Sequence, residues 1–188
     1  MNLPNKLTLL RVLLIPVFML FVEWDTLPGH FLLALAVFAA ASLTDLLDGY
    51  IARKYDMVTD FGKFMDPLAD KVLVMTALVY FSYLGAAPSW AVILILAREF
   101  LVTSLRLVAA GKGVVIAADR IGKYKTAFTM VWICYGLLVL HFLVPITESG
   151  AFYFVWGNYL LMAASVALTV LSGIHYIRAN WDLVKQAK

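Results

Sequence analysis

Four aspartates lie inside stretches of this chain that are otherwise nearly free of charge. The sequence has 188 residues, is 63% hydrophobic and has a mean hydropathy of +0.89, yet Asp45, Asp48, Asp66 and Asp70 fall within or at the edge of two apolar segments. Ionisable groups in membrane-spanning segments are expensive and mark function by default. Asp45 and Asp48 are three residues apart and Asp66 and Asp70 four apart, so each pair shares one face of a helix. If the two segments pair antiparallel, the four carboxylates meet near one membrane surface. Unneutralised, they would repel strongly. Hard oxygen donors of this kind favour Mg²⁺, Mn²⁺ or Ca²⁺, and four of them allow a two-metal arrangement. Small residues surround them: Gly49 and Ala52 follow Asp48, and Gly62 stands four before Asp66. Small side chains let a ligand or a helix approach the backbone closely. Arg53 adds a planar donor fork suited to phosphate.

The elements that must position these residues are membrane helices. A hydrocarbon core of about 30 Å needs about 20 apolar residues per crossing. Six segments qualify, approximately 6–22, 30–52, 66–84, 89–110, 123–145 and 151–177. The first contains Pro16, and its beginning, Leu3 to Leu14, is amphipathic enough to lie in the interface before turning inward. No small-x-small cleavage pattern follows Val22, so this segment reads as a retained helix and not a signal peptide. The expectation is an all-α polytopic bundle of six transmembrane helices with an interfacial N-terminal segment, as one domain over 1–188. Spanning segments in lipid must satisfy their own backbone hydrogen bonds, and helices do so.

Charge sets the orientation. Turns near 23–30, 85–89 and 146–151 hold Glu23, Asp25 and Glu148 but no lysine or arginine, and all fifteen basic residues fall on the opposite side. Under the positive-inside rule both termini and the aspartates are then cytoplasmic. Trp24, Trp90 and Trp156 mark the outer interface and Trp181 the inner one. Cys134 is alone in an apolar run, and His30, His141 and His175 share no ligand spacing, so these four read as structural residues. Asp56, Asp60 and Asp119 read as loop acids or helix caps.

Asp45-x-x-Asp48-Gly49-x-x-Ala52-Arg53, eight residues, Gly62-x-x-x-Asp66-x-x-x-Asp70 resembles the signature of the CDP-alcohol phosphotransferase family. The flanking Leu3 to Arg11, Phe64 to Lys71, Ala97-Arg98-Glu99 with Ser104-Leu105-Arg106, and Gly122 to Thr126 are similar to members that use glycerol 3-phosphate. The resemblance implies a membrane enzyme of phospholipid biosynthesis that transfers a phosphatidyl group from CDP-diacylglycerol to glycerol 3-phosphate, releasing CMP. It implies Asp45, Asp48, Asp66 and Asp70 as ligands of Mg²⁺ or Mn²⁺, two ions being expected. Asp70 doubles as the catalytic base, and Asp45, Gly49, Ala52, Arg53 and Gly62 line the CDP pocket. A second phosphate on the acceptor needs cations of its own, for which Arg98, Arg106, Lys123 and Lys125 are the candidates. For Arg106 an internal ion pair with Glu99, seven residues away, competes with that role. The expected partners are the two substrates, membrane lipids, which Lys6 and Arg11 could also hold at the interface, and a second copy of the chain. No nucleic acid is expected. A site one to two helical turns below the inner surface, open sideways between helices, would admit acyl chains.

Two other readings compete. The same carboxylates serve inositol phosphate, serine or another alcohol as acceptor. A divalent-cation transporter would also carry membrane carboxylates, but it needs polar groups toward both faces, and the outer halves of these segments are almost purely apolar.

Overall fold

A computed structural model describes residues 2–55, 60–114, 116, 120–142 and 148–181. Six helices follow one another: α1 Leu3–Glu23, α2 His30–Lys54, α3 Asp60–Tyr83, α4 Ser89–Gly111, α5 Arg120–Phe142 and α6 Glu148–Ala179. Among the described residues there is no strand. The shortest helix has 21 residues, so at 1.5 Å per residue each is about as long as the hydrocarbon core is thick. Among the described residues three runs are long and apolar enough to cross a membrane: Asn5–Glu23, Ile121–Phe142 and Phe152–Ala179. The described apolar run of α2 is His30–Asp45, and α3 and α4 have the length but carry Asp66, Asp70, Arg98, Glu99 and Arg106.

The bundle packs α1 against α2 and α3, α5 against α6 and α2, and α4 against α6 and α3. Its core runs through Phe18, Phe38, Leu73, Leu78, Phe81 and Trp132, each nearly inaccessible. Phe81 and Trp132 meet edge-on, at 5.8 Å and 74°, an arrangement their quadrupoles favour. Near the α3–α4 turn Trp132 Nε1 donates to Asn158 Oδ1 (2.9 Å), and Asn158 Nδ2 donates to the carbonyl of Ala86 (2.7 Å) in that turn. One buried amide thereby ties α5, α6 and a turn together with its own polar groups satisfied.

Gly136 lies beneath the Phe81 ring, and a methyl group there would overlap the ring. Small residues allow this close approach between membrane helices. Overpacking of this kind costs about 1–3 kcal/mol. Gly136→Ala is therefore expected to lower the melting temperature in detergent clearly, whereas an alanine at Gly111, where nothing lies within reach, leaves it unchanged.

Two sequence expectations change. The chain does not turn after an interfacial Leu3–Leu14 stretch; Leu3–Glu23 is one continuous helix that accommodates Pro16. Its buried stripe is Asn5, Thr8, Arg11, Ile15, Phe18 and Val22. The polar half that suggested contact with the interface faces the protein interior instead. In addition, α3 starts at Asp60, not at 66, so the link from α2 is shorter than expected and Gly62 belongs to the helix. The polar first turn of α3 hid its start from a hydropathy count. Asp56, Asp119 and the α5–α6 link at 143–147 lie outside the described residues.

Candidate active site

Arg11 is the most deeply buried cation of the molecule's described part, with 0% exposure. It reaches from α1 to α2, where Nη1 pairs with Asp45 Oδ1 at 3.0 Å and Nε donates to the carbonyl of Ala41 at 3.3 Å. An unpartnered arginine in lipid is costly. The pair instead neutralises Asp45 on one side while its carboxylate remains 38% exposed on the other. That exposed side opens into a cavity of about 830 Å³.

The cavity gathers residues from five helices. Asp45 comes from α2, Asp70 and Lys71 from α3, Arg98, Glu99, Thr103 and Arg106 from α4, Lys123 and Thr126 from α5, and Tyr176 from α6. On α4 the contributing positions 98, 99, 102, 103 and 106 recur at helical spacing and form one face. Phe38, Ala39, Leu43, Ala127, Met130 and Cys134 form an apolar part of the lining, with Ser42 between Phe38 and Asp45. Asp45 is seven residues from Phe38, about 10 Å along α2, so the lining changes from charged to apolar with depth in the membrane. Cys134 is part of this apolar wall.

Two of the cations, Arg98 and Lys125, share one carboxylate. Glu99 Oε1 accepts from Arg98 Nη1 and from Lys125 Nζ, both at 2.8 Å. Lys125 is buried, and it faces a cavity of about 40 Å³ lined also by Asp70, Lys71, Glu99 and Thr129. That volume is enough for a water molecule among polar partners. Thr103 joins the group, donating to the main-chain carbonyl of Glu99 at 2.7 Å and accepting from Lys71 Nζ. Arg106 does not pair with Glu99. Its Nε donates to the Tyr176 hydroxyl at 3.0 Å and its guanidinium lies 5.5 Å from the centre of that ring. The sequence spacing allowed a Glu99–Arg106 pair, but the carboxylate is claimed by cations on its own turn and on α5.

Of the expected site residues, Asp45, Asp70, Arg98, Arg106 and Lys123 share the large cavity, and Lys125 reaches only the small one. Gly62 is buried on α3. Asp48, Gly49, Ala52 and Arg53 follow Asp45 on α2, and Asp66 precedes Asp70 on α3; the side chains of these positions lie outside the described residues. Among the described residues no three acidic, histidine or cysteine side chains converge as a metal site. Asp45 and Asp70, facing one cavity from adjoining helices, are nevertheless hard oxygen donors of the kind a divalent ion prefers. Lys71, Thr103 and Tyr176 went unassigned in the sequence. Thr103 carries a local signal, one helical turn after Glu99, but Tyr176 lies seventy residues from its partner and carries none.

The sequence also has known relatives. Residues 1–171 match the CDP-alcohol phosphatidyltransferase family. The chain is 44% identical to the CDP-diacylglycerol–glycerol-3-phosphate 3-phosphatidyltransferase of Bacillus subtilis, over 98% of this chain and 97% of that protein. It is 43% identical to a probable phosphatidylglycerophosphate synthase of Mycobacterium tuberculosis, over 97% of this chain and 83% of the relative. Identity to the corresponding 3-phosphatidyltransferase of Rickettsia typhi is 38%, over 95% and 96%.

Proposed function

Because the chain belongs to the CDP-alcohol phosphatidyltransferase family, we propose that it transfers the phosphatidyl group of CDP-diacylglycerol to glycerol 3-phosphate, giving phosphatidylglycerophosphate and CMP. The observation that carries this reading is the single cavity in which Asp45 and Asp70 face Arg98, Arg106 and Lys123, with an apolar wall at membrane depth. The relatives named for this reaction span nearly the whole chain.

The acceptor hydroxyl attacks the phosphorus that carries the diacylglycerol. A new O–P bond forms, the bond from that phosphorus to the bridging oxygen breaks, and CMP leaves. Asp70 takes the hydroxyl proton. Asp45, Asp48, Asp66 and Asp70 would hold Mg²⁺ or Mn²⁺, with two ions expected, which would supply neutralisation of the diphosphate charge and polarisation of the phosphorus. Such transfers depend on positioning and charge neutralisation more than on covalent chemistry. Arg11 holds the Asp45 carboxylate toward the cavity. Gly49, Ala52, Arg53 and Gly62 line the cytidine diphosphate pocket. Arg98, Arg106 and Lys123 take the phosphate of the acceptor. Lys125 contributes through Glu99, which it shares with Arg98. The apolar wall between α2 and α5 receives acyl chain.

The enzyme sits in the cell membrane with both termini and the site on the cytoplasmic side, supported by the placement of its fifteen basic residues. It acts as a homodimer, a reading that rests on the family resemblance.

The test is CMP release from CDP-diacylglycerol by purified protein, with and without glycerol 3-phosphate, Mg²⁺ and a chelator. Release is expected only with acceptor and metal together. Release with inositol phosphate or serine, and not with glycerol 3-phosphate, would overturn the acceptor. Release undiminished by the chelator would overturn the metal. Tyr176→Phe keeps the ring but removes the hydroxyl that accepts from Arg106. It is expected to raise the KM for glycerol 3-phosphate about fivefold, the effect of one hydrogen bond worth about 1 kcal/mol. The KM for CDP-diacylglycerol stays within twofold, and an equal rise in both would show a general structural defect.

A further inference from the structure

The face of α5 turned away from the catalytic cavity forms one wall of a second groove, of about 730 Å³, whose other wall is α6. Ile121 and Phe128 from α5 and Ala167, Leu171 and Ile174 from α6 make it apolar. The α6 residues open outward, with Leu171 58% exposed. In a membrane protein that surface meets lipid. Arg178 stands at one end of the groove, with His175 and Tyr124 beside it, and no other lining residue has an ionisable or hydroxyl side chain. This is the same end of the bundle as the charged part of the active site, because α5 begins there at Arg120 and α6 finishes there at Ala179.

The dimensions match one lipid leaflet. The lining residue farthest from Arg178 on α6 is Ala164, fourteen positions earlier, or about 21 Å along the helix. Half of a bilayer including its headgroups is about 20–22 Å. An acyl chain laid along the groove therefore brings its headgroup phosphate to the level of Arg178. A guanidinium is suited to phosphate oxygens, and basic positions between helices at the membrane surface recruit anionic headgroups. The positive end of the α5 dipole lies at this same level. A zwitterionic lipid would set its ammonium group in that positive field.

We propose that the α5–α6 groove is a binding site for one anionic glycerophospholipid per chain, separate from the catalytic cavity, with the phosphate on Arg178 and an acyl chain between the helices. The site does not depend on the acceptor used by the enzyme.

Native mass spectrometry of the full chain in mild detergent, titrated with phosphatidylglycerol or phosphatidylcholine, tests it. One phosphatidylglycerol is expected to be retained per chain, with phosphatidylcholine held several times more weakly. Arg178→Gln should weaken phosphatidylglycerol retention about fivefold, the factor corresponding to about 1 kcal/mol for one basic residue at the surface. Arg178→Lys should restore most of it. Ala167→Phe, which fills the groove from an exposed helix position, should reduce retention with Arg178 intact. Circular dichroism and CMP release confirm that the variants fold. Equal retention of the two lipids, or retention indifferent to both Arg178→Gln and Ala167→Phe, would overturn the proposal. So would conversion of dimer to monomer by Ala167→Phe with lipid retention unchanged, which would make the groove a contact between copies.

Discussion

Replacing Asp70 by asparagine is expected to lower the rate of CMP release about 10³-fold while leaving the protein folded. Asparagine preserves the size and helical position of the side chain but removes both its negative charge and its capacity to take a proton. A positioned general base contributes about 10²–10⁴-fold, and the loss of an anionic ligand of the proposed metal site adds to that. Asp70 occupies a position on which both site cavities converge, so no neighbouring carboxylate can replace it without moving a helix. Initial rates at saturating CDP-diacylglycerol and glycerol 3-phosphate, beside a melting curve, decide the matter. A loss below tenfold in folded protein would remove Asp70 from both roles. Adding Mn²⁺ separates the two: recovery at high metal concentration identifies a ligand, and no recovery identifies the base.

Replacing Glu99 by alanine is expected to be the most destabilising single change in the site. Lys125 and Arg98 both donate to one oxygen of Glu99, and their side chains are 4% and 13% exposed. Removing the shared carboxylate leaves two largely buried cations without it. Breaking a buried ion pair from one side costs about 3–5 kcal/mol, because the partner's charge stays desolvated. For a chain of this size that corresponds to roughly 6–20 °C in melting temperature. Glu99→Ala with Lys125→Met should recover much of the loss, since buried pairs can be replaced by apolar residues at little net cost. A single variant that melts like the parent protein, or a double variant no better than the single, would show that the network contributes nothing to stability. Loss of activity alone does not test this point; the melting temperatures do.

The sequence determined the helical bundle, its six segments and the carboxylates because these are local properties. Hydropathy needs only about twenty consecutive residues, and the spacing of Asp45 to Asp48 or Asp66 to Asp70 puts each pair on one helical face without reference to the rest of the chain. Local composition also misled, and for a physical reason. A polar face looks the same in sequence whether it meets water or a polar interior, so the Leu3–Leu14 stretch suggested an interface, but its Asn5, Thr8 and Arg11 are buried. The charged first turn of α3 likewise concealed a helix start at Asp60.

Only the tertiary structure decided which charges pair. Arg11 is thirty-four residues from Asp45, Lys125 twenty-six from Glu99, and Tyr176 seventy from Arg106. Each partnership depends on the rotation and depth at which two helices dock, and these are set by many weak contacts along the interface, such as Phe81 over Gly136. Spacing along one helix could offer Glu99 to Arg106. The packing of α4 against α6, and of α5 beside them, gave Glu99 to Lys125 and Arg98 and left Arg106 with Tyr176 on the cavity wall.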